Sequence, residues 1–179
     1  MYTIEKSNKP DFNFKEENLS TKKVLDENLF DDIKRLLCSN EFSYYLTPSK
    51  SPVIFQHMFL GLDHTINSPH FESVCKPIID EIKKNDKTFF NILRAKAVCY
   101  PKQNADKIEF DRELIKFHKT AIFPIIDTNG FYEFENKELP NIGQEANTLS
   151  IFDGKEKYRV KLQTDLSYKI DIKKSFIIF

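Results

Sequence analysis

At Lys87 the chain changes period. Two segments before it repeat apolar residues at helical spacing; after it, apolar residues alternate in short runs broken by turn residues. In DENLFDDIKRLLCSN, Leu29, Ile33, Leu36 and Leu37 share one helical face, and Asp26 is placed to cap the start. In NSPHFESVCKPIIDEIKKN, Ser68 is a candidate N-cap with Pro69 in the first turn. Val74, Ile78, Ile79 and Ile82 form the stripe, and Pro77 predicts a kink or a break. FSYYLTPSKSP reads as a loop or short strand, and VIFQHMFL as a strand. Beyond Lys87, TFFNILRAKAVCY and HKTAIFPIID have strand composition. The turn TNG follows, with FYEFE as the expected hairpin partner of HKTAIFPIID. TLSIFD, EKYRVKL and YKIDIKKSFIIF complete the series. Helices first and short strands after predict an α+β fold, with helices packed against an antiparallel sandwich or barrel.

The first 23 residues are polar with scattered aromatics, Tyr2, Phe12 and Phe14, and predict an arm that is disordered alone. Residues 24–179 then make one domain, a size that allows a real core. The arm lacks the apolar segment of a signal peptide, and no window reaches the ~18 apolar residues of a membrane span. A soluble chain made in the cytoplasm is expected. With 27 basic and 27 acidic residues, no overall field draws the chain to nucleic acid or to a membrane surface. Cys38, Cys75 and Cys99 are far apart and odd in number, which predicts buried small hydrophobes in a reducing compartment.

The usual chemical motifs are missing. Four glycines leave no phosphate-binding loop, and there is no nucleophile elbow. His57, His64, His70 and His118 stand at no ligand spacing, so zinc is not expected. The stretch KIEFDRELIKFHKTAIF remains, with the acidic pair Asp111 and Glu113 one residue apart and His118 beyond them. As it stands, the pair is either a hard-metal carboxylate site or a solvated, ion-paired strand edge.

Four segments in order, NILRAKAVCYPKQ, HKTAIFPIIDTNGFYEFE, NTLSIFDGKEKYRVKLQTD and YKIDIKKSFIIF, resemble the Fe(II)/2-oxoglutarate dioxygenase superfamily. The branch they resemble is the prolyl-4-hydroxylase-like proteins of marine bacteria and phages. FDDIKRLLCSNEFSYYL, FQHMF and NSPHFESVCKPIIDEI agree, so the resemblance runs from Val24 to Phe179. It implies a double-stranded β-helix (jelly-roll or cupin-like), with the N-terminal helices packed on one side. It also implies an iron held by a His-x-Asp pair and a distal His, and a basic residue, usually Arg, for the far carboxylate of 2-oxoglutarate.

Carried over by position, the His-x-Asp pair falls on Asp111 and Glu113, with Arg112 between them. The distal His falls on Tyr158, the Arg on Lys169, and a co-substrate Tyr on Tyr100. His118 and His57 match non-ligand positions. Without imidazoles the set is two carboxylates and a phenol, and a phenol of pKa ~10 is a poor ligand at neutral pH. The positions are therefore expected to be vestigial: no catalytic residue, no metal and no cofactor. On this reading the chain is a non-catalytic structural or assembly subunit that binds itself or other proteins. The setting implied is a phage particle, in its tail, neck or baseplate. The alternative is an active oxygenase using Fe(II) and 2-oxoglutarate through an atypical metal site.

Overall fold

A computed structural model describes residues 19–21, 23–47, 53–103 and 118–178. The described elements run β1 (Leu19–Thr21), α1 (Glu27–Leu37), β2 (Tyr45–Leu46), β3 (Phe55–Leu60), α2 (Lys76–Asn85) and β4 (Phe89–Pro101), then β5 (His118–Pro124), β6 (Phe131–Phe134), β7 (Leu149–Asp153), β8 (Tyr158–Lys161) and β9 (Tyr168–Ile178). Most of the expected arm lies outside the described residues. Its end forms β1, which pairs with β7.

Seven strands form one antiparallel sheet in the order β1-β7-β5-β9-β4-β3-β2, and β6 and β8 form a second. From β5 onward the chain alternates between the sheets. Their facing side chains share one cluster: Val98, Tyr100, Ile122 and Phe152 from the large sheet, and Tyr132, Phe134, Tyr158 and Val160 from the small one. This alternation makes the fold a double-stranded β-helix.

It also corrects the expected hairpin. β6 does not pair with β5, which lies between β7 and β9; β6 pairs with β8, Phe131 opposite Lys161. The reason is the turn between them, which is bonded to another turn. Thr128 Oγ1 donates to Asp165 Oδ1 at 2.9 Å, and the Asn129 backbone N–H donates to Asp165 Oδ2 at 2.9 Å. Asn129 and Thr164 exchange two further hydrogen bonds, at 2.8 and 2.9 Å. Two crossings between sheets are thus clasped together, and a tight hairpin at TNG is precluded.

The other face of the large sheet carries the main core, shared by α1, α2 and strand residues such as Ala95, Ala97, Phe123, Ile170, Ile172 and Phe176. Helix α1 starts where Asp26 accepts the Asn28 N–H at 3.0 Å. It buries Phe30, Ile33 and Leu37, with Phe30 edge-on to Phe123. Each such side chain contributes ~1.5–3 kcal/mol by leaving water. Leu29, expected on the stripe, is exposed: the buried face is turned by one residue. In the second helical segment, Val74, Ile78, Ile79 and Ile82 are all buried. It is not one α-helix. Phe71–Cys75 is a π-helical turn, closed by the Lys76 N–H on the Phe71 carbonyl, and α2 begins one residue before Pro77. Pro77 therefore sits in a first turn, where its missing N–H costs nothing. Ser68 accepts the His70 N–H at 3.2 Å and holds the preceding turn rather than α2 itself.

Of the cysteines, Cys75 is buried and Cys99 half-buried, but Cys38 is exposed, against expectation. It ends α1 as the C-cap, where the chain leaves the core. Among the described residues no helix is long and apolar enough to cross a membrane.

One charge lies inside the main core. Lys174 is almost fully buried and donates to the Cys75 carbonyl at 2.7 Å. Burial pushes its ammonium down from 10.5 to about 8, partly offset by Cys75 and Asp80. The unfolded chain therefore holds more protons than the folded one between these values, and Lys174 adds stability as pH rises through that window. Urea unfolding of wild type and Lys174→Met at pH 7 and pH 10 should show wild type gaining on the variant by roughly 3 kcal/mol, at about 1.4 kcal/mol per tenfold change in proton affinity.

Candidate functional site

The space between the sheets is lined by alternate residues of the large sheet. Ile170, Ile172 and Phe176 of β9 face the helices, so Lys169, Asp171 and Lys173 face the small sheet. The register sets Tyr100 of β4 opposite Lys169, Val98 opposite Asp171 and Lys96 opposite Lys173.

Tyr132, on β6, is the hub of this interior and is fully buried. Its hydroxyl donates to Asp171 Oδ2 at 2.8 Å. Tyr100 Oη lies 3.3 Å from the same oxygen of Tyr132. Since the Tyr132 proton is committed to Asp171, Tyr100 is the donor in that pair. Burial pushes both phenols well above their ordinary range, and the Asp171 carboxylate pushes them further, so both stay protonated. Lys169 makes an ion pair with Asp171 at 2.9 Å, neither side chain exposed to solvent. Lys169 also donates to the Gly143 carbonyl and lies 5.7 Å from the Tyr132 ring centre. Gly143 has φ +86°, and a Cβ there would come within 2.7 Å of the Tyr132 ring, so only glycine brings that carbonyl to the lysine. Gln163 closes the end by donating to the Tyr100 carbonyl at 2.8 Å.

Tyr158, the first residue of β8, packs edge-on against Phe152, Tyr132 and Phe134. Lys173 donates to its hydroxyl at 2.7 Å. The same ammonium lies 4.6 Å from the Tyr158 ring centre and 5.5 Å from that of Tyr132.

Three of the five positions named from the sequence are thus in one interior. Tyr100, Tyr158 and Lys169 meet through Tyr132. Asp111 and Glu113, with Arg112 between them, lie outside the described residues. His118 is buried on β5, and its ring fills the space over Gly154, where a Cβ would fall 2.0 Å from Nε2. That is a packing role at the FDG turn. His57 is bonded to the Ser43 carbonyl at 2.8 Å and packed on Phe42.

Sequence reasoning missed Tyr132, Asp171 and Lys173. The signal was the alternation in YKIDIKK, which sets its charged residues on one face of the strand. Period two separates the faces of a strand but does not say which one meets water.

Among the described residues, the Tyr158 hydroxyl accepts a hydrogen bond from the Lys173 ammonium, a positive charge that would stand beside an incoming metal ion. Among the described residues, no group of three or more His, Cys, Asp or Glu side chains is placed to hold a metal.

No family model matches the sequence, and no curated protein matches it. Solved structures do. An oxidoreductase of the 2OG-Fe(II) oxygenase family from Burkholderia pseudomallei superposes with a TM-score of 0.67 at 10% identity, over 89% of this chain and 85% of that one. The epimerase SnoN from nogalamycin biosynthesis, in complex with Fe3+, α-ketoglutarate and nogalamycin RO, gives 0.61 at 9% identity, over 91% and 79%. The viral collagen prolyl hydroxylase of Paramecium bursaria Chlorella virus-1 gives 0.54 at 15% identity, over 100% and 99%. The chain therefore has the fold of the 2-oxoglutarate–Fe(II) oxygenases.

These structures overturn the expectation that no cofactor is involved. SnoN holds iron and α-ketoglutarate on this same fold. The expectation stood on three ligand positions, and two of them, Asp111 and Glu113, lie outside the described residues.

Two substitutions test the interior. Tyr132→Phe leaves the buried Asp171 carboxylate without its hydroxyl donor and should cost ~1–3 kcal/mol in urea unfolding. Lys169→Met leaves that carboxylate without its cation and should cost ~3–5 kcal/mol. If Lys169→Met is the milder of the two, the ion pair is not what holds the interior.

Proposed function

We propose that this chain is a non-catalytic protein on the 2-oxoglutarate–Fe(II) oxygenase fold, serving as a structural or assembly subunit of a phage particle. The observation that carries the non-catalytic part is the pairing of Tyr158 with Lys173 at 2.7 Å. By resemblance, Tyr158 stands at the distal ligand position. A ligand there must offer a lone pair to a cation, and this hydroxyl offers it to a lysine. Lys169, at the position of the co-substrate's basic residue, is likewise engaged, by Asp171 and by Gly143.

The assembly part is supported by the resemblance to the phage and marine bacterial branch. The partners would be further copies of this chain or other subunits. The reading concerns turnover: iron or 2-oxoglutarate bound without reaction would not contradict it.

The test is to load the purified protein with Fe(II) and 2-oxoglutarate without oxygen, admit oxygen, and measure succinate. The expected result is no succinate above the iron-only background. Repeated turnover would establish instead an oxygenase with an atypical metal site. The assembly role is checked separately by quantifying the chain in purified particles of its source. A fixed copy number is expected, and absence from every particle would remove that role.

A further inference from the structure

One edge of the large sheet is β1, a strand of three residues laid on β7. Leu19 stands opposite Ile151, Ser20 opposite Ser150 and Thr21 opposite Leu149. Just after it the chain is fixed to the body of the domain. The Val24 N–H donates to the Asn147 carbonyl at 3.0 Å. The Leu25 N–H donates to Asn147 Oδ1, and Asn147 Nδ2 donates to the Leu25 carbonyl, both at 2.9 Å. Asn147 is tied in turn to β5, its N–H donating to the Pro124 carbonyl at 3.1 Å. Leu25 is buried in the main core. The chain from Val24 onward is therefore anchored without β1.

Between the strand and this anchor, Lys23 has φ +49°. That is the left-handed region, where a side chain crowds its own backbone and an extended conformation is relaxed. It is the conformation that lays β1 on the β7 of its own chain. Strand pairing is made by backbone groups and needs only an extended segment in register, so the β1 of a second copy satisfies the same edge.

We propose that β1 is exchanged between copies of this chain, β1 of one pairing with β7 of the next in this same register, with Lys23 as the hinge. The inference rests on the assembly part of the proposed function and names the surface through which copies join, the β7 edge. The ladder is the same in the closed and exchanged forms. The balance between them is set by the strain released at Lys23 against the cost of bringing two copies together.

The experiment uses the full chain with Cys38→Ser, which removes the exposed thiol. One form carries Ser20→Cys and the other, with an affinity tag, carries Ser150→Cys. Neither can close a 20–150 disulfide within itself, and both changes are isosteric. The two forms are produced in one cell, purified through the tag, oxidised gently with diamide and mapped by mass spectrometry. Facing residues of an antiparallel pair have Cα atoms about 4.5–5.5 Å apart, within disulfide range. Ser20→Cys produced with Lys155→Cys, off the register, sets the level of collisional links. The expected result is a 20–150 link joining two chains, roughly tenfold above that level. Lys23→Gly, which removes the hinge strain, should lower its yield several-fold, and Lys23→Val, which increases the strain, should raise it.

The proposal is overturned if the interchain link stays at the off-register level while both changes on one chain close within that chain. It is overturned equally if the double variant folds by circular dichroism and closes in neither way, because β1 is then not on β7. A fixed copy number in particles without exchanged strands would leave the assembly reading standing. Exchange in a chain absent from every particle would do the reverse.

Discussion

The ion pair between Lys169 and Asp171 lies at the junction of everything inside the barrel. Two charges two residues apart on one strand are both fully buried. Taking each out of water costs several kcal/mol, and such a pair persists only when the remaining donors and acceptors are satisfied. Here, among the described residues, Asp171 Oδ1 has the ion pair alone, without a hydrogen bond, and the other contacts come from groups distant in sequence. Gly143 takes the lysine from the loop before β7, and Tyr132 takes the carboxylate from the small sheet. Tyr132 then meets Tyr100 on β4, whose carbonyl takes Gln163 beyond β8. Disturbing the pair would release contacts on both sheets at once.

That pair can form only because β9 lies in the middle of the large sheet, between β4 and β5. Its two faces do different work. The mainly apolar one, with Lys174 as its one charge, meets the helices; the charged one meets aromatic rings instead of water. The crossings that put β6 and β8 over it are held by the turns at Thr128–Asn129 and Thr164–Asp165. These are polar, local bonds, each of modest strength. Their combined effect is to decide which strands face which, and so what the inside of the molecule contains.

Much of this was legible in the chain. The change of period at Lys87, the stripe of Val74, Ile78, Ile79 and Ile82, and the strand segments were read correctly, because burial on one side imposes a period on the residues. The phase of α1 was missed by one residue, since Leu29 and Phe30 are both apolar and only the neighbouring sheet chooses between them. The hairpin at TNG was misassigned because a turn motif reports local geometry and not the sheet its strand will join. At the site, Tyr100, Tyr158 and Lys169 were named from a resemblance, and they do converge. The residues that give them their character, Tyr132, Asp171 and Lys173, carried no recognisable spacing.

The sequence by itself determined the order of elements, the helical core stripes and the two-faced strands, because each follows from how apolar residues recur along a short segment. Only the tertiary structure decided that the polar face of β9 turns inward, that the Tyr158 hydroxyl accepts a hydrogen bond from Lys173, and that two crossings are clasped to each other. The physical reason is range. Period is a property of neighbours in the chain, whereas the value of a buried charge depends also on partners 15 to 99 residues away.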